Sequence, residues 1–406
     1  MFINLNFSKK DSKFILLGKV FKHIDSKKAQ KIYSRNGIKN TKLMSISIKL
    51  VFLSMFYQYD LSKVVNELKK NKRLKKFLKI EGKSPDPEQI YEYLSRYSPE
   101  QYANITNSII RTVDRRNRRK YSTYIVDATP VACDINYIRK HVTQEQLEKL
   151  KLKWGYSTTK GHYIGFKVTM MLNKDTLCPV CIIINPGAPH DSTLFEPILQ
   201  EAKRRRIIKN KDTILFDKGY YSYENYQIGI NKFKIVPVIF PKSNFSLKKL
   251  ADQLSYPLEV FRQNKSIHYM KKLLQHLKHI LIEKLKNWEN LKPVRGIIED
   301  FFKVSKQAFG MGEFHNYTTK SITKNIYLCI LLTTLVIKTG FKTKTQLQQL
   351  AEGNIDSKPK KEHKKKNNKN KKVKKEEKTV PHKSNQQKLQ IKLKKAQTTL
   401  KKYLNI

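Results

Sequence analysis

Two apolar stretches, each ending on a single carboxylate, constrain the fold of this chain more than any other feature. The first, YSTYIVDATP at 121–130, reads as a strand that ends on Asp127 and is followed by a turn. The second, DTILFDKGYY at 212–221, is predicted to place Asp217 at the end of another strand. Strand and helix patterns alternate between and after them, which favours neighbouring strands whose carboxylates meet at one edge of a sheet.

The order of the patterns predicts an α/β fold, a mixed five-stranded sheet flanked by helices. Strands are expected at 124–126, 161–172, 177–185, 213–216 and 233–240, and helices at 191–205 and 222–230. Cys178 and Cys181 have CxxC spacing but lie in the third of these strands. We interpret them as core residues rather than a zinc site, because no second Cys/His pair is near them in sequence.

The remaining segments predict the domain organisation. We expect an N-terminal segment at 1–39, a helical domain at 40–118, a sheet domain at 119–342 with a helical insertion at 242–291, and a basic tail at 343–406. The helical domain fits helix-turn-helix DNA binding and simple packing about equally, because nothing in it selects a recognition helix. The tail has too few apolar residues to fold and is predicted to be disordered.

The longest apolar run and the N-terminus predict where in the cell the protein is located. The run 326–337 is shorter than the roughly 20 residues that a membrane helix needs, so a buried helix is expected at 322–340. The N-terminus, MFINLNFSKK, lacks the ordered regions of a signal peptide. We therefore expect a protein with no membrane partner that is cytoplasmic and associated with the nucleoid.

The charge of the chain indicates its partner. Lys and Arg number 83 against 33 Asp and Glu, a formal charge of +50 that is spread along the chain. A bias toward lysine codons accounts for part of this excess but not for all of it. A surface this basic favours a polyanion, and nucleic acid is the first candidate.

A third acidic residue, Glu299, lies in the helix-like stretch 294–310. Arg295 precedes it by one helical turn and Lys306 follows it by about two turns, so the three side chains share one face. A carboxylate between two cations suits a phosphate held beside a metal ion. The alternative is an ordinary Arg–Glu surface pair worth about 0.2–0.5 kcal/mol.

Three other acids compete with these candidates. Asp300 lies about 100° around the helix from Glu299, away from its cations, and therefore ranks below it. Asp191 lies at a predicted helix start, where capping is the favoured role. Asp134 is the third. Among the aromatic and histidine side chains, Trp154 fits the core better than a base-stacking role, and His162 and Tyr220 fit site-lining and packing roles equally.

Five motifs occur together in a fixed order. They are IVDATPV, KWGYSTTKGHYIGFK (153–167), PHDS (189–192), FDKGYYS (216–222) and RGIIEDFFKVSKQAFG (295–310). In these motifs, over roughly 40–340, the chain resembles the DDE transposases of bacterial and archaeal insertion sequences, most closely the IS-four-like branch. The signature of that branch is Y-x2-R-x3-E-x6-K. This sequence matches it at Arg295, Glu299 and Lys306 but has Lys292 where the tyrosine is expected.

The resemblance implies an RNase H-like core in which Asp127, Asp217 and Glu299 bind two Mg²⁺ ions, with Mn²⁺ able to substitute. The implied activity is DNA cleavage and strand transfer at terminal inverted repeats, into target DNA, by a homodimer in a synaptic complex. The residues predicted to contact DNA are Arg295, Lys306, Lys292, Lys218 and Lys167. Two alternatives stay open: a non-catalytic DNA-binding protein derived from a transposase, and an RNase H-fold nuclease without strand transfer.

Overall fold

The computed structural model describes residues 12–114, 121–149, 152–157, 161–254, 265–314 and 318–340. All of them belong to one compact unit that spans 1–359. The basic segment 115–120 and the tail 343–406, for which the sequence predicts a linker and disorder, lie outside the described residues. The division into domains therefore stays a prediction.

Helices form the N-terminal part of the described chain. They are α1 (Ser12–Ile24), α2 (Lys27–Arg35), α3 (Thr41–Tyr57), α4 (Leu61–Lys70), α5 (Lys72–Leu78), α6 (Pro87–Ser95) and α7 (Pro99–Val113). A capping box precedes α7, in which Ser98 and Gln101 exchange side-chain and backbone hydrogen bonds. Helical structure already begins at Ser12, because α1 buries Leu17, Val20 and other apolar side chains in the common core.

The sheet contains both parallel and antiparallel strands, so the predicted α/β mixed sheet is confirmed. Its strands are β1 (Thr123–Cys133), β2 (Lys153–Ser157), β3 (Gly161–Asn173), β4 (Pro179–Pro186), β5 (Thr213–Phe216), β6 (Val236–Ile239) and β7 (Glu313–Phe314). The order is β2-β3-β1-β5-β6, with β4 paired to β3 and β7 paired to β1. The sheet has seven strands rather than five, because β2 and β7 are short and carry no continuous apolar run.

Strand β1 does not end at Asp127, which corrects the expected turn at this position. It continues to Cys133 and pairs with β3 from Tyr124 opposite Asn173 to Ala132 opposite Gly165. Pro130 is compatible with this strand because it lies between the stretch paired with β5 and the stretch paired with β7. A proline that lacks an N–H is tolerated where one side of the strand has no ladder partner.

The helices that follow β1 flank the sheet. They are α8 (Ile135–His141), α9 (Gln144–Lys149), α10 (Asp191–Arg204), α11 (Tyr223–Gln227), α12 (Leu247–Gln253), α13 (Lys265–Lys286), α14 (Lys292–Gln307) and α15 (Thr319–Lys338). The predicted helical insertion thus contains α12 and α13. The predicted helix 191–205 corresponds to α10.

Helix α15 is the central helix of the core, as the sequence predicts. It packs on α7, α1 and α3 from the N-terminal part and on α14 and β4 from the sheet part. At 20 residues it is long and apolar enough to cross a membrane, yet 83% of its most apolar window is buried inside the protein. Its hydrophobic surface is therefore used to join the two parts of the fold.

Candidate active site

The first two acidic side chains are delivered by adjacent parallel strands. Val126 on β1 lies opposite Phe216 on β5, so Asp127 and Asp217 follow at equivalent positions. This confirms the expectation that the two acids come from neighbouring strands. The Asp127 side chain is 15% exposed and that of Asp217 is 26% exposed, so both are held mostly out of solvent.

The third acid comes from α14, which packs against β1. Ile298, Phe301 and Phe302 are buried and anchor one face of this helix. Arg295 and Glu299, one turn apart, form an ion pair along the helix. The Glu299 side chain is 55% exposed, and the site is therefore open to solvent on the side of α14.

Arg295 contacts all three carboxylates. Its Nη2 lies 3.2 Å from Asp127 Oδ2, its Nε lies 3.4 Å from Asp217 Oδ1, and its Nη1 lies 2.7 Å from Glu299 Oε1. Acids from β1, from the end of β5 and from α14 thus converge on one guanidinium. The local pairing of Arg295 with Glu299 was expected from their spacing, whereas the contacts with Asp127 and Asp217 depend on the tertiary fold.

Burial dominates the electrostatics of this cluster. It raises the pKa of Asp127 from 3.8 to about 7, against the opposing effects of the Arg295 charge and of a hydrogen bond from the Ala128 N–H. The nearby carboxylates of Asp217 and Asp191 contribute smaller upward shifts to this net pKa value. Burial lowers the pKa of Arg295, but the three carboxylates more than offset this effect and the net shift is upward. A mostly buried acid whose pKa is raised, beside a charged partner, is typical of a functional site.

The Transposase DDE domain family matches residues 118–335, which is more than half of the chain. The chain belongs to this family. Among solved structures, a piggyBac transposase synaptic complex with hairpin DNA, determined by cryo-EM, is similar at 9% identity and a TM-score of 0.41. The match covers 84% of this chain and 80% of that one. None of the curated proteins matches this chain.

Carboxylates clustered in this way raise the question of a divalent-metal site. In the described part of the chain, no three acidic, histidine or cysteine side chains are grouped so that they could hold an ion as they stand. Asp127, Asp217 and Glu299 instead all face the guanidinium of Arg295. Carboxylate oxygens are the donors that Mg²⁺ prefers, so the chemistry of the three acids fits such an ion.

A fourth acid, Asp191, lies close to this cluster. His190, not Asp191, is the N-cap of α10, and its Nδ1 accepts the Ser192 N–H. The predicted capping role of Asp191 is therefore wrong. Its carboxylate instead lies 2.7 Å from Lys167 Nζ, and a Cβ added to Gly219 would lie only 2.6 Å from it. The turn after Asp217 is thus closely packed against Asp191, because Gly219 has no side chain.

The other rival acids occupy less central positions. Asp134 accepts a hydrogen bond of 2.9 Å from the backbone N–H of Asn136 at the start of α8. Asp300 is half-buried on α14, next to Glu299. The carboxylates that contact Arg295 are therefore the three that the sequence ranked first.

The remaining predicted DNA contacts occupy different environments. Lys218 is exposed beside Asp217, and Lys306 is half-buried two turns beyond Glu299. Lys292 lies 3.4 Å from a Glu289 oxygen and 4.3 Å from the centre of the Trp288 ring. Lys167 is mostly buried in its pair with Asp191. Contact with DNA stays a prediction for all of them.

The aromatic and histidine candidates differ in their exposure to solvent. Tyr220 is fully buried and packs 5.3 Å from the Phe216 ring, so its role is packing beneath the site. Trp154 was expected in the core, but it is 59% exposed because β2 is a short strand at the edge of the sheet. His162 is also exposed, and its ring lies 5.1 Å from that of Tyr156.

Proposed function

We propose that this chain is an active DDE transposase that binds element-end DNA and catalyses metal-dependent cleavage and strand transfer. The observation that carries the proposal is the convergence of Asp127, Asp217 and Glu299 on Arg295. These acids are far apart in sequence and come from three elements, so their meeting is a product of the fold. The formal charge of +50 supports DNA as the substrate.

In this proposal Asp127, Asp217 and Glu299 hold Mg²⁺, or Mn²⁺ in its place. Bound ions of this kind activate an oxygen nucleophile and stabilise the charge that develops on the phosphate. The protein contributes rigid placement of the donors. Asp127 and Asp217 are fixed by the pairing of β1 with β5, and Glu299 is fixed by the packing of α14 on β1.

Arg295 has two tasks in succession. Without DNA, its positive charge partly compensates three carboxylates that would otherwise repel one another across a few ångströms. The planar N–H donors of the guanidinium also suit a phosphate group, so an Arg295 that paired with DNA instead would leave the three carboxylates able to hold a metal ion. Lys218, next to Asp217 in sequence, and Lys292, three residues before Arg295, are exposed and are proposed to add phosphate contacts.

The mostly buried pair of Lys167 and Asp191 is proposed to position the turn that follows Asp217. Contact with DNA is then not the main role of Lys167. Asp191 abuts Gly219, two residues after Asp217, and is itself held by Lys167 Nζ. Movement of this pair would therefore move the Asp217 carboxylate. This arrangement explains why a lysine near the site is mostly buried.

The test uses linear DNA that carries the sequences flanking the gene, incubated with the full chain and Mg²⁺. We expect cleavage at the ends and joined products, with both lost to background in Asp217→Ala and Asp217→Asn. Asp60→Asn, which changes an exposed aspartate that pairs with Lys63 in the same helical turn, is the matched control and is expected to retain activity.

Three results would redirect the proposal. Cleavage by Asp217→Ala at the wild-type rate would refute the assignment of this acid. Nicked products without joined products would favour a nuclease of the same fold. Binding to DNA without cleavage by the wild-type protein would favour a non-catalytic descendant of a transposase.

A further inference from the structure

Two exposed aromatic rings lie side by side on the edge strand β2. Trp154 and Tyr156 are 59% and 60% exposed, and residues two apart on a strand face the same side of the sheet. His162 lies directly opposite Tyr156 on β3, with ring centres 5.1 Å apart and an angle of 60° between the rings. A group of large rings kept in water marks an interaction surface.

The backbone that carries these rings is tightly held. Gly155, between the two aromatic residues, faces the opposite side, where an added Cβ would lie 2.8 Å from the Ala188 Cβ and 3.0 Å from the Tyr163 ring. The rings therefore project from a rigid support, and binding to them costs little ordering entropy.

Gly187 has a φ of +73°, which lies in the left-handed region that glycine adopts without strain. An added Cβ there would lie 3.0 Å from the Trp154 carbonyl oxygen and 3.1 Å from the Lys153 Cβ. The turn that contains Gly187 leads directly into α10, which begins at Asp191. One segment therefore packs against β2 and also carries the acid that lies next to the proposed active site.

The rings lie on the same side of the sheet as the carboxylate of Asp127. Trp154 is opposite Ile164 on β3, and Asp127 is opposite Met170 on the same strand. Six residues separate these two partners, an even number, so the side chains share a face. Trp154 and Asp127 are therefore separated by about 20 Å along the strands and by about 10 Å across them.

We propose that Trp154 and Tyr156 form a stacking platform for unpaired nucleobases of a DNA strand whose backbone passes the acidic cluster. The inference rests on the proposed function for the path of that strand. Every base presents a flat π-face, so aromatic rings hold single strands with little dependence on sequence. The formal charge of +50 on the chain favours binding of the phosphate backbone of such a strand.

The first measurement uses the fluorescence of Trp154. The chain has two tryptophans, so Trp288→Phe leaves Trp154 as the single reporter. In EDTA, a single-stranded dT12 oligonucleotide is expected to quench its emission, whereas a duplex of equal length is expected to have little effect. Quenching by both DNAs to the same extent would overturn the proposal.

The second measurement compares affinities for the same two DNAs in otherwise wild-type protein. Replacing both Trp154 and Tyr156 by Ala is expected to weaken binding of dT12 by about tenfold or more for each ring removed. Binding of the duplex is expected to change by less than about threefold. The variant with Phe at both positions should retain most of the affinity, and Tyr121→Ala, another exposed aromatic residue, is the control.

Unchanged dT12 affinity in the double Ala variant would overturn the proposal, as would an equal loss for both DNAs. A change of oligomeric state with DNA binding intact would instead identify the rings as a contact with a second copy of this chain. Because these assays contain no divalent metal and detect no cleavage, their outcome is distinguishable from that of the cleavage test. A chain that stacks bases but does not cut DNA would refute only the catalytic proposal.

Discussion

The raised pKa of Asp127 predicts how the stability of this protein depends on pH. In the folded state burial raises this pKa from 3.8 to about 7, so the folded protein binds a proton that the unfolded chain releases between these values. Stability from this group is therefore highest below about pH 4 and falls as pH rises toward about 7. The full difference corresponds to about 4 kcal/mol.

Asp127→Asn removes this titration while keeping the shape of the side chain. Between pH 5 and pH 8 the wild-type free energy of unfolding is expected to fall by about 2.5 kcal/mol relative to that of Asp127→Asn. The variant should be the more stable protein at pH 8, since its buried amide carries no charge. The ion pair with Arg295 is already included in the raised pKa and does not reverse this sign.

The assay is urea denaturation of the full chain in EDTA across this pH range, with Asp60→Asn as the control. The difference in free energy of unfolding between a variant and wild type removes the contribution of other titrating groups. This holds provided that both proteins show the same slope of free energy against urea concentration. Parallel pH profiles for wild type and Asp127→Asn would refute the reasoning. So would a wild-type protein that gains stability relative to this variant as pH rises.

Three further predictions concern Arg295, Gly219 and the positive charge of the chain. Arg295→Ala should increase the affinity of the DNA-free protein for Mn²⁺, measured by electron paramagnetic resonance, because a competing cation is removed; an unchanged or lower affinity would contradict this role. Gly219→Ala should cost about 1–3 kcal/mol in urea denaturation, because the new methyl group meets Asp191, whereas Gly296→Ala, which meets nothing within 4 Å, should not destabilise the protein. DNA affinity should fall steeply and linearly with salt on logarithmic axes, and a flat response in a filter-binding titration would contradict binding through many phosphates.

Much of the catalytic arrangement could be predicted because it is encoded in local patterns. An apolar run followed by an acid marked Asp127 and Asp217, and helical spacing placed Arg295 on the same face as Glu299. The mixed sheet also followed from the alternation of strand and helix patterns. Where the predictions failed, local pattern was a poor guide: Trp154 is apolar, but the position of β2 at the sheet edge leaves it in water.

The roles of Asp191 and Lys167 show a second limit of local reasoning. A residue that begins a helix is favoured as a cap, but His190 takes that role here and releases Asp191 to pair with Lys167. The extent of β1 beyond Asp127 was missed for a similar reason. Pro130 normally argues against a strand, and only the arrangement of β5 and β7 shows that its position lacks a partner on that side.

The sequence by itself determined which residues carry charge, where most of the strands and helices lie, and that the whole chain is strongly basic. These properties depend on side-chain chemistry and on periodicities of two and 3.6 residues. Only the tertiary structure decided that one guanidinium meets three carboxylates, that Asp191 supports Gly219, and that two aromatic rings remain in solvent. Such contacts join residues far apart in the chain, and they exist because the pairing of β1 with β5 and the packing of α14 bring those residues together.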